Sequence, residues 1–436
     1  MTVSEEVTTR MATDRAGSST DDGNPAGQAR APRRRLLGFL DSPVASYYLL
    51  VGLTSLLVLI GLGMVLSASS VKSLQRGDSA YEIFLGQAQY AVFGTIALVA
   101  ASLMRPAFYK RVSWPFLFAA IGMQLLIFTP LARSKGGNTG WIYLGGFTVQ
   151  PAEIAKLALA IWLGTVLARK ARLLHQWGHV LMPAVPVVGI VVGLVLAGHD
   201  LGTAIILLMV VAGALWIAGV PGRMFLAGGA VMAVAVWALV AFQGNSNRLG
   251  RIDSWLNASC NPDVATCYQF IHGKWALASG GLSGVGLGAG SEKWLYLPEA
   301  HNDFIFAVIG EELGLQGTVL MLVLFGALGY AMSRVVVRHP DPAVKVTTGA
   351  ICCWIVGQAL VNIGVVIGAL PVIGVPLPLV SAGGSALIMT MAALGVVISF
   401  ARDEPGAREA LAARSGTVRR SLAVVGGSVR RRRKDA

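Results

Sequence analysis

Residues 297–333 read LPEAHNDFIFAVIGEELGLQGTVLMLVLFGALGYAMS. Glu299, His301, Asn302 and Asp303 crowd the opening, and from Phe304 onward the stretch carries no charge except Glu311 and Glu312. A bilayer is crossed by about 20 apolar residues. The segment 304–333 therefore spans a membrane and is long enough to tilt or extend out of it. Comparable stretches lie at 47–67, 84–104, 112–131, 152–168, 180–198, 201–219, 224–243, 345–370 and 384–401. The sequence thus predicts an all-α polytopic membrane protein with about ten transmembrane helices. His199-Asp200-Leu201-Gly202 would form a tight re-entrant corner between the fifth and sixth.

The composition agrees. Of 436 residues, 55% are hydrophobic and only 13% charged, where soluble domains carry about 25% charged residues. Mean hydropathy is +0.65. A soluble α/β enzyme and a disordered chain are both excluded. The net charge of +13 is unevenly placed. With a cytoplasmic N-terminus, the inside segments 1–46, 105–111, 169–179, 220–223, 334–345 and 402–436 hold 26 of the 35 Lys and Arg. This bias puts both termini in the cytoplasm, and leaves 244–303 as a large extracytoplasmic loop between helices 7 and 8. Residues 1–40 and 403–436 read as disordered basic tails around a transmembrane domain at 41–402. Arg33-Arg34-Arg35 and Arg430–Lys434 suit anionic membrane lipids better than nucleic acid. The first apolar run is a full span, so no cleavable signal peptide is expected. Cys260 and Cys267 share the outer loop and could close a disulfide or remain free thiols. Cys352 and Cys353 read as small packing residues.

Polar groups at membrane depth are costly and mark candidate function. Three clusters fall on the outer side. In the first, Gln150-Pro151-Ala152-Glu153-Ile154-Ala155-Lys156 opens the fourth span. There Glu153 and Lys156 lie on one helix face, as a structural ion pair or as part of a site. The second begins with the glycines of 280–290, whose spacing mimics a phosphate loop. With no preceding strand and an outward position, a nucleotide reading fails. It continues through Lys293 and Glu299-Ala300-His301-Asn302-Asp303. Asp303 could cap the helix starting at Phe304, or serve as a base at the membrane surface. His301 could be a second base, a ligand or a donor. Glu299, His301 and Asp303 could also gather a divalent cation, Mg or Mn, although a fourth partner is lacking. Glu311 and Glu312, about 12 Å below Asp303, need a cation, and Lys156 is the only basic residue within a span. A Lys156–Glu311 or Lys156–Glu312 pair is therefore expected. The third cluster, Leu370–Pro378 with Ser381, Gly383, Gly384 and Ser385, follows Asn362-Ile363-Gly364. It is either a tight turn or a loop whose N–H groups face the same cavity as Asp303.

At these clusters the sequence resembles the SEDS family, the membrane glycosyltransferases that polymerise peptidoglycan, represented by FtsW, RodA and SpoVE. The matching pieces run from Trp141 to Lys156, from Asp200 to Thr203, from Leu297 to Gly314 and from Pro376 to Ser385. Met64–Ser69 and the last loop are more like FtsW, the cell-division member. Gly140 departs from the family, where a basic residue usually precedes the tryptophan. His199, Asn302 and Ala382 also replace a usual proline, threonine and tyrosine.

The resemblance implies polymerisation of lipid II at the outer face of the cell membrane during septal cell-wall synthesis, with Asp303 as catalytic base. An elongation-type, RodA-like polymerase and a lipid II flippase are the alternatives. Lys293, Arg248, Arg251, the start of the eighth span or a divalent cation would stabilise the leaving pyrophosphate. Glu299, His301, Ser381, Gly383, Gly384 and Ser385 complete the candidate substrate-binding set. A class B penicillin-binding protein and other divisome proteins are the implied partners.

Overall fold

A computed structural model describes residues 42–135, 138–145, 147–230, 265–294 and 296–413, with 234 and 255. The first helices are α1 (Ala45–Gln75), α2 (Glu82–Leu103) and α3 (Pro106–Leu125). A small antiparallel sheet follows: β1 (Ala132–Lys135), β2 (Asn138–Leu144) and β3 (Phe147–Val149), in that order. Then come α4 (Pro151–Arg169), α5 (Trp177–Leu181), α6 (Ala184–Ala197) and α7 (Leu201–Ile217). Last are α8 (Ala265–Gly280), α9 (Ile305–Arg338), α10 (Pro342–Val366) and α11 (Gly384–Arg402).

Among the described residues, eight segments are helical, long and apolar enough to cross a membrane, with Leu201–Ile217 a shorter ninth. They occupy nine of the ten positions read from the sequence. The tenth, 224–243, lies mostly outside the described residues, as do Arg248, Arg251, Cys260 and both distal tails. Cys267 is disulfide-bonded, and Cys352 and Cys353 are free.

Local chemistry sets the helix starts. Proline occupies the first turn of α3, α4 and α10, where its missing N–H costs nothing. Asp200 caps α7 by accepting from the Thr203 N–H at 3.0 Å, and Asp341 caps α10 through Ala343 N–H at 3.0 Å. The hub of the bundle is α4, with Leu159, Ala160, Trp162 and Leu163 fully buried. It packs on α3, α7 and α10. Gly164 meets Thr347 of α10 so closely that no Cβ could be accommodated, as small residues at membrane helix crossings allow. On the outside of the bundle, α2 exposes Leu85, Val92, Phe93, Ile96 and Val99. These are the lipid-facing residues that account for the scarcity of charge.

Two features depart from the sequence reading. The polar stretch after α3, to which the sequence reading assigned no element, is a sheet, with Ala132 paired to Ile142 and Tyr143 to Thr148. The described part of the outer loop is also more than a surface excursion. Helix α8 runs alongside the start of α9, with Gly273 against the Phe304 ring and Gly280 against the Gly310 carbonyl. The chain then turns through its glycines at the level of Gly314. There α9 is broken, with Gly314 at φ 67° and ψ −159°.

Loop backbone fills the break. Val285 and Gly286 N–H donate to the carbonyls of Glu311 and Glu312 at 3.0 Å each, and Leu315 N–H donates to the Gly281 carbonyl at 2.9 Å. Irregular backbone at this depth requires such substitutes. The loop therefore dips roughly 15 Å below Phe304, at about 1.5 Å per residue of α9.

At the other end of the bundle, the residues after α11 fold back. Glu404 and Ala407 are buried, and Ser46 of α1 donates to Glu404 at 3.3 Å. The folded unit therefore runs past the boundary expected at 403, because Glu404 bonds Ser46 and Gly406 faces Pro43 at the start of α1. His339 lies 3.6 Å from Asp403. Burial holds its imidazole below the ordinary value, against the pull of Asp403 and Asp341.

Candidate active site

The three clusters of the sequence converge, and the 199–203 corner joins them. The start of α9 is held by a tight turn in which the Glu299 carbonyl accepts from Asn302 N–H at 3.0 Å and from Phe304 N–H at 3.3 Å. Glu299 has φ 53°. The N-cap position falls on Phe304, which makes no side-chain cap bond, so Asp303 stands one residue outside it.

The loop after α10 closes onto this turn. Ala382 N–H donates to the His301 carbonyl at 3.0 Å, and Ser381 Oγ to the Asn302 carbonyl at 2.7 Å. Asn362 Nδ2 donates both to the Asp303 carbonyl at 2.7 Å and to the Val375 carbonyl at 2.8 Å. Gly374 has φ 70°, and a Cβ there would lie 3.5 Å from Asp303 Oδ2. The half-buried Asp303 carboxylate is therefore flanked by backbone without a side chain.

Cluster one enters from the opposite side. Gln150 N–H donates to Ser385 Oγ at 3.1 Å, and Gln150 Nε2 to Asp200 Oδ2 at 2.8 Å. Asp200 also accepts from Thr203 Oγ1 at 2.7 Å. Gly202 sits against the Ile373 carbonyl. Segment 373–375 is thus clamped between the start of α7 and the turn carrying Asp303.

The ion pairs correct the expected pairing. Lys156 Nζ binds Glu153 at 2.8 Å and Gln358 Oε1 at 3.1 Å, and lies over the Trp354 ring, not beside Glu311 or Glu312. Glu312 is instead bound by Lys293 at 2.7 Å and by Ser67 of α1. Glu311 accepts from Ser291 N–H, Ser291 Oγ and Glu292 N–H. The cause is the dipping loop, which delivers Lys293 to a depth that linear spacing reserved for helices. Lys293 is only 5% exposed, so it is a buried counter-ion and not a surface cation.

The third cluster is likewise internally bonded. Ser381 Oγ accepts from Leu377 N–H at 2.8 Å, and Gly383 N–H donates to the Ser381 carbonyl at 2.8 Å. The N–H groups of Ala382 and Gly383 are therefore occupied, as the tight-turn alternative has it. Ser381, Gly383, Gly384 and Ser385 shape the loop. Glu299 turns its carboxylate to Lys72 of α1 at 3.3 Å and to Asn302 Nδ2 at 3.3 Å. Among the described residues no three of His, Cys, Asp and Glu gather as a metal-ligand set. Glu299, His301 and Asp303 are not gathered into such a set.

Sequence reading missed Lys72, Gln87, Trp354 and Gln358. Gln87 donates to the Ser381 carbonyl at 3.1 Å, and Gln358 Nε2 to the Pro376 carbonyl at 2.9 Å. Their signal was present: uncharged amides inside apolar spans face the same desolvation cost as charges, at smaller scale.

Known proteins resemble this chain in sequence and in fold. One relative is the probable peptidoglycan glycosyltransferase FtsW of Mycobacterium tuberculosis, 40% identical over 92% of this chain and 76% of its own length. Stage V sporulation protein E of Bacillus subtilis is 33% identical over 81% of this chain and 96% of its own length. Among solved structures, the rod shape determining protein RodA of Thermus thermophilus superposes with a TM-score of 0.60 at 26% identity, covering 82% of this chain and 97% of that one. A chain from a structure of a peptidoglycan synthase complex that coordinates polymerization and crosslinking gives a TM-score of 0.66 at 25% identity, covering 81% and 97%. Residues 47–405 match the family described as cell cycle protein, FtsW/RodA/SpoVE. The chain belongs to that family of multi-pass membrane proteins.

Proposed function

We propose that this chain is a peptidoglycan glycosyltransferase that polymerises lipid II at the outer membrane face, with Asp303 as general base. The carrying observation is the placement of Asp303 at the start of α9, fixed through its own carbonyl by Asn362 and with its carboxylate beside Gly374. The acceptor's 4-hydroxyl oxygen attacks the donor's anomeric carbon. The bond from that carbon to the pyrophosphate oxygen breaks, and the hydroxyl proton passes to the Asp303 carboxylate. An alcohol is a poor nucleophile until its proton is taken, so a carboxylate within hydrogen-bond reach is required.

The three clusters of the candidate site gather at the Asp303 end of the bundle, which supports surface chemistry over transport, where the site is reachable from both sides. The family's description as a cell cycle protein supports a role in cell division, and the septum is its proposed place. A transpeptidase of the class B penicillin-binding type is the proposed partner, supported by the likeness to a synthase complex. A divalent cation remains a proposal that no step above requires.

The test is polymerisation of purified lipid II by wild type and Asp303→Asn. The variant should fold and insert normally yet make no glycan strand, and normal polymer from it would overturn the assignment.

A further inference from the structure

A polyprenyl pyrophosphate donor brings concentrated negative charge that a cation must meet on binding. Lys293 is buried against Glu312 and cannot be offered to a substrate. The described residues place another ammonium at the site. Lys72 sits in the last turn of α1 and is bound to Glu299 at 3.3 Å, with side chains 27% and 33% exposed. Glu299 begins the turn that ends at Asp303, and its second oxygen is held by Asn302.

Lys72 also lies on the correct side of α1. Gly61, about three turns earlier on the same helical face, packs directly on the backbone of Leu379 and Val380 in the loop beside Asp303.

From this we propose that Lys72 is a substrate-binding residue, exchanging the Glu299 carboxylate for the pyrophosphate of the polyprenyl-linked donor. This rests on the glycosyltransferase reading above. A half-exposed lysine held by a single carboxylate loses little when it changes partner, because exposed pairs contribute weakly. A pyrophosphate offers it more charge and more acceptor oxygens. Glu299 then acts as a placeholder that keeps the ammonium at the lip of the site between turnovers. The competing role is purely structural: Lys72 would complement the C-terminal dipole of α1 and brace the 299–304 turn.

Lipid II titrations separate the two. Lys72→Gln should raise KM about tenfold or more with kcat within about threefold, and Lys72→Arg should recover most of the loss. Glu299→Gln releases the lysine and should shift KM the opposite way, below the wild-type value. A brace predicts the same KM rise from either substitution. Undecaprenyl pyrophosphate and undecaprenyl monophosphate, bound to the purified full-length protein, give a second readout. The preference for the pyrophosphate should collapse in Lys72→Gln.

An unchanged KM in Lys72→Gln, or an equal rise in Glu299→Gln, overturns the inference. Wild-type protein that makes no polymer but shows Lys72-dependent pyrophosphate binding would sink the polymerase reading and sustain this one.

Discussion

The ammonium of Lys156 and the amide oxygen of Gln358 meet at 3.1 Å in the middle of the helix bundle. From there a line of side chains on α10 leads outward. Gln358 binds the Pro376 carbonyl, and Asn362, one turn on, binds the carbonyls of Val375 and Asp303. The buried Glu153–Lys156 pair and the candidate catalytic residue therefore share one polar seam.

Removing Lys156 should be severe. Lys156→Met strands Glu153, which is 3% exposed, and loss of one partner of a buried pair costs about 3–5 kcal/mol. Thermal unfolding in detergent should show a large drop in Tm, with much of it regained in Glu153→Gln/Lys156→Met. An unshifted Tm in the single variant would refute a buried charge pair.

Asn362 offers a subtler test. Asn362→Leu keeps the size but leaves two carbonyls unpaired, each at about 1–3 kcal/mol if buried. Polymerisation should lose about tenfold or more in kcat, with little change in the KM for lipid II. A change confined to KM would show that Asn362 does not place Asp303.

The break in α9 requires glycine. A Cβ at Gly314 would lie 2.3 Å from the Gly284 nitrogen, and the residue has φ 67°. Gly314→Ala should reduce the yield of folded protein sharply. Gly63→Ala, which meets nothing within 4 Å, should express as wild type. Size-exclusion profiles of the two variants decide the matter.

Acid should loosen the predicted cytoplasmic end. Burial lowers the His339 pKa in the folded protein, so the unfolded chain binds that proton more readily. The contribution to stability is present above the ordinary histidine value of about 6.5 and is lost as pH falls through the lowered one. His339→Gln should flatten the Tm-versus-pH curve between pH values of about 7 and 5. An identical slope in the variant would assign the acid sensitivity elsewhere.

Much of this was legible in the linear sequence. Apolar run lengths located the spans, and Glu299–Asp303 and Ser381–Ser385 were marked by polarity at an apolar boundary. The wrong pairing of Lys156 shows the limit. Counting charges within spans assumes that only helices reach membrane depth, and the glycine loop that brings Lys293 to Glu312 breaks that assumption. Lys72 was passed over because a lysine after an apolar run reads as a solvated flank. Only the fold reveals that the last turns of α1 lean over the Glu299 turn. Gln87 and Gln358 escaped because neutral amides leave no trace in a charge count.

The glycine loop also bears on how the chain is made. Residues 281–286 supply the backbone partners of Glu311, Glu312 and Leu315, and they leave the ribosome before those residues do. The complement to the interrupted helix is therefore synthesised ahead of the helix itself. When the segment around Gly314 reaches the bilayer, the groups that complete its hydrogen bonding already exist in the preceding chain. Moving the loop to a later position by circular permutation would remove that order of synthesis while keeping every native contact.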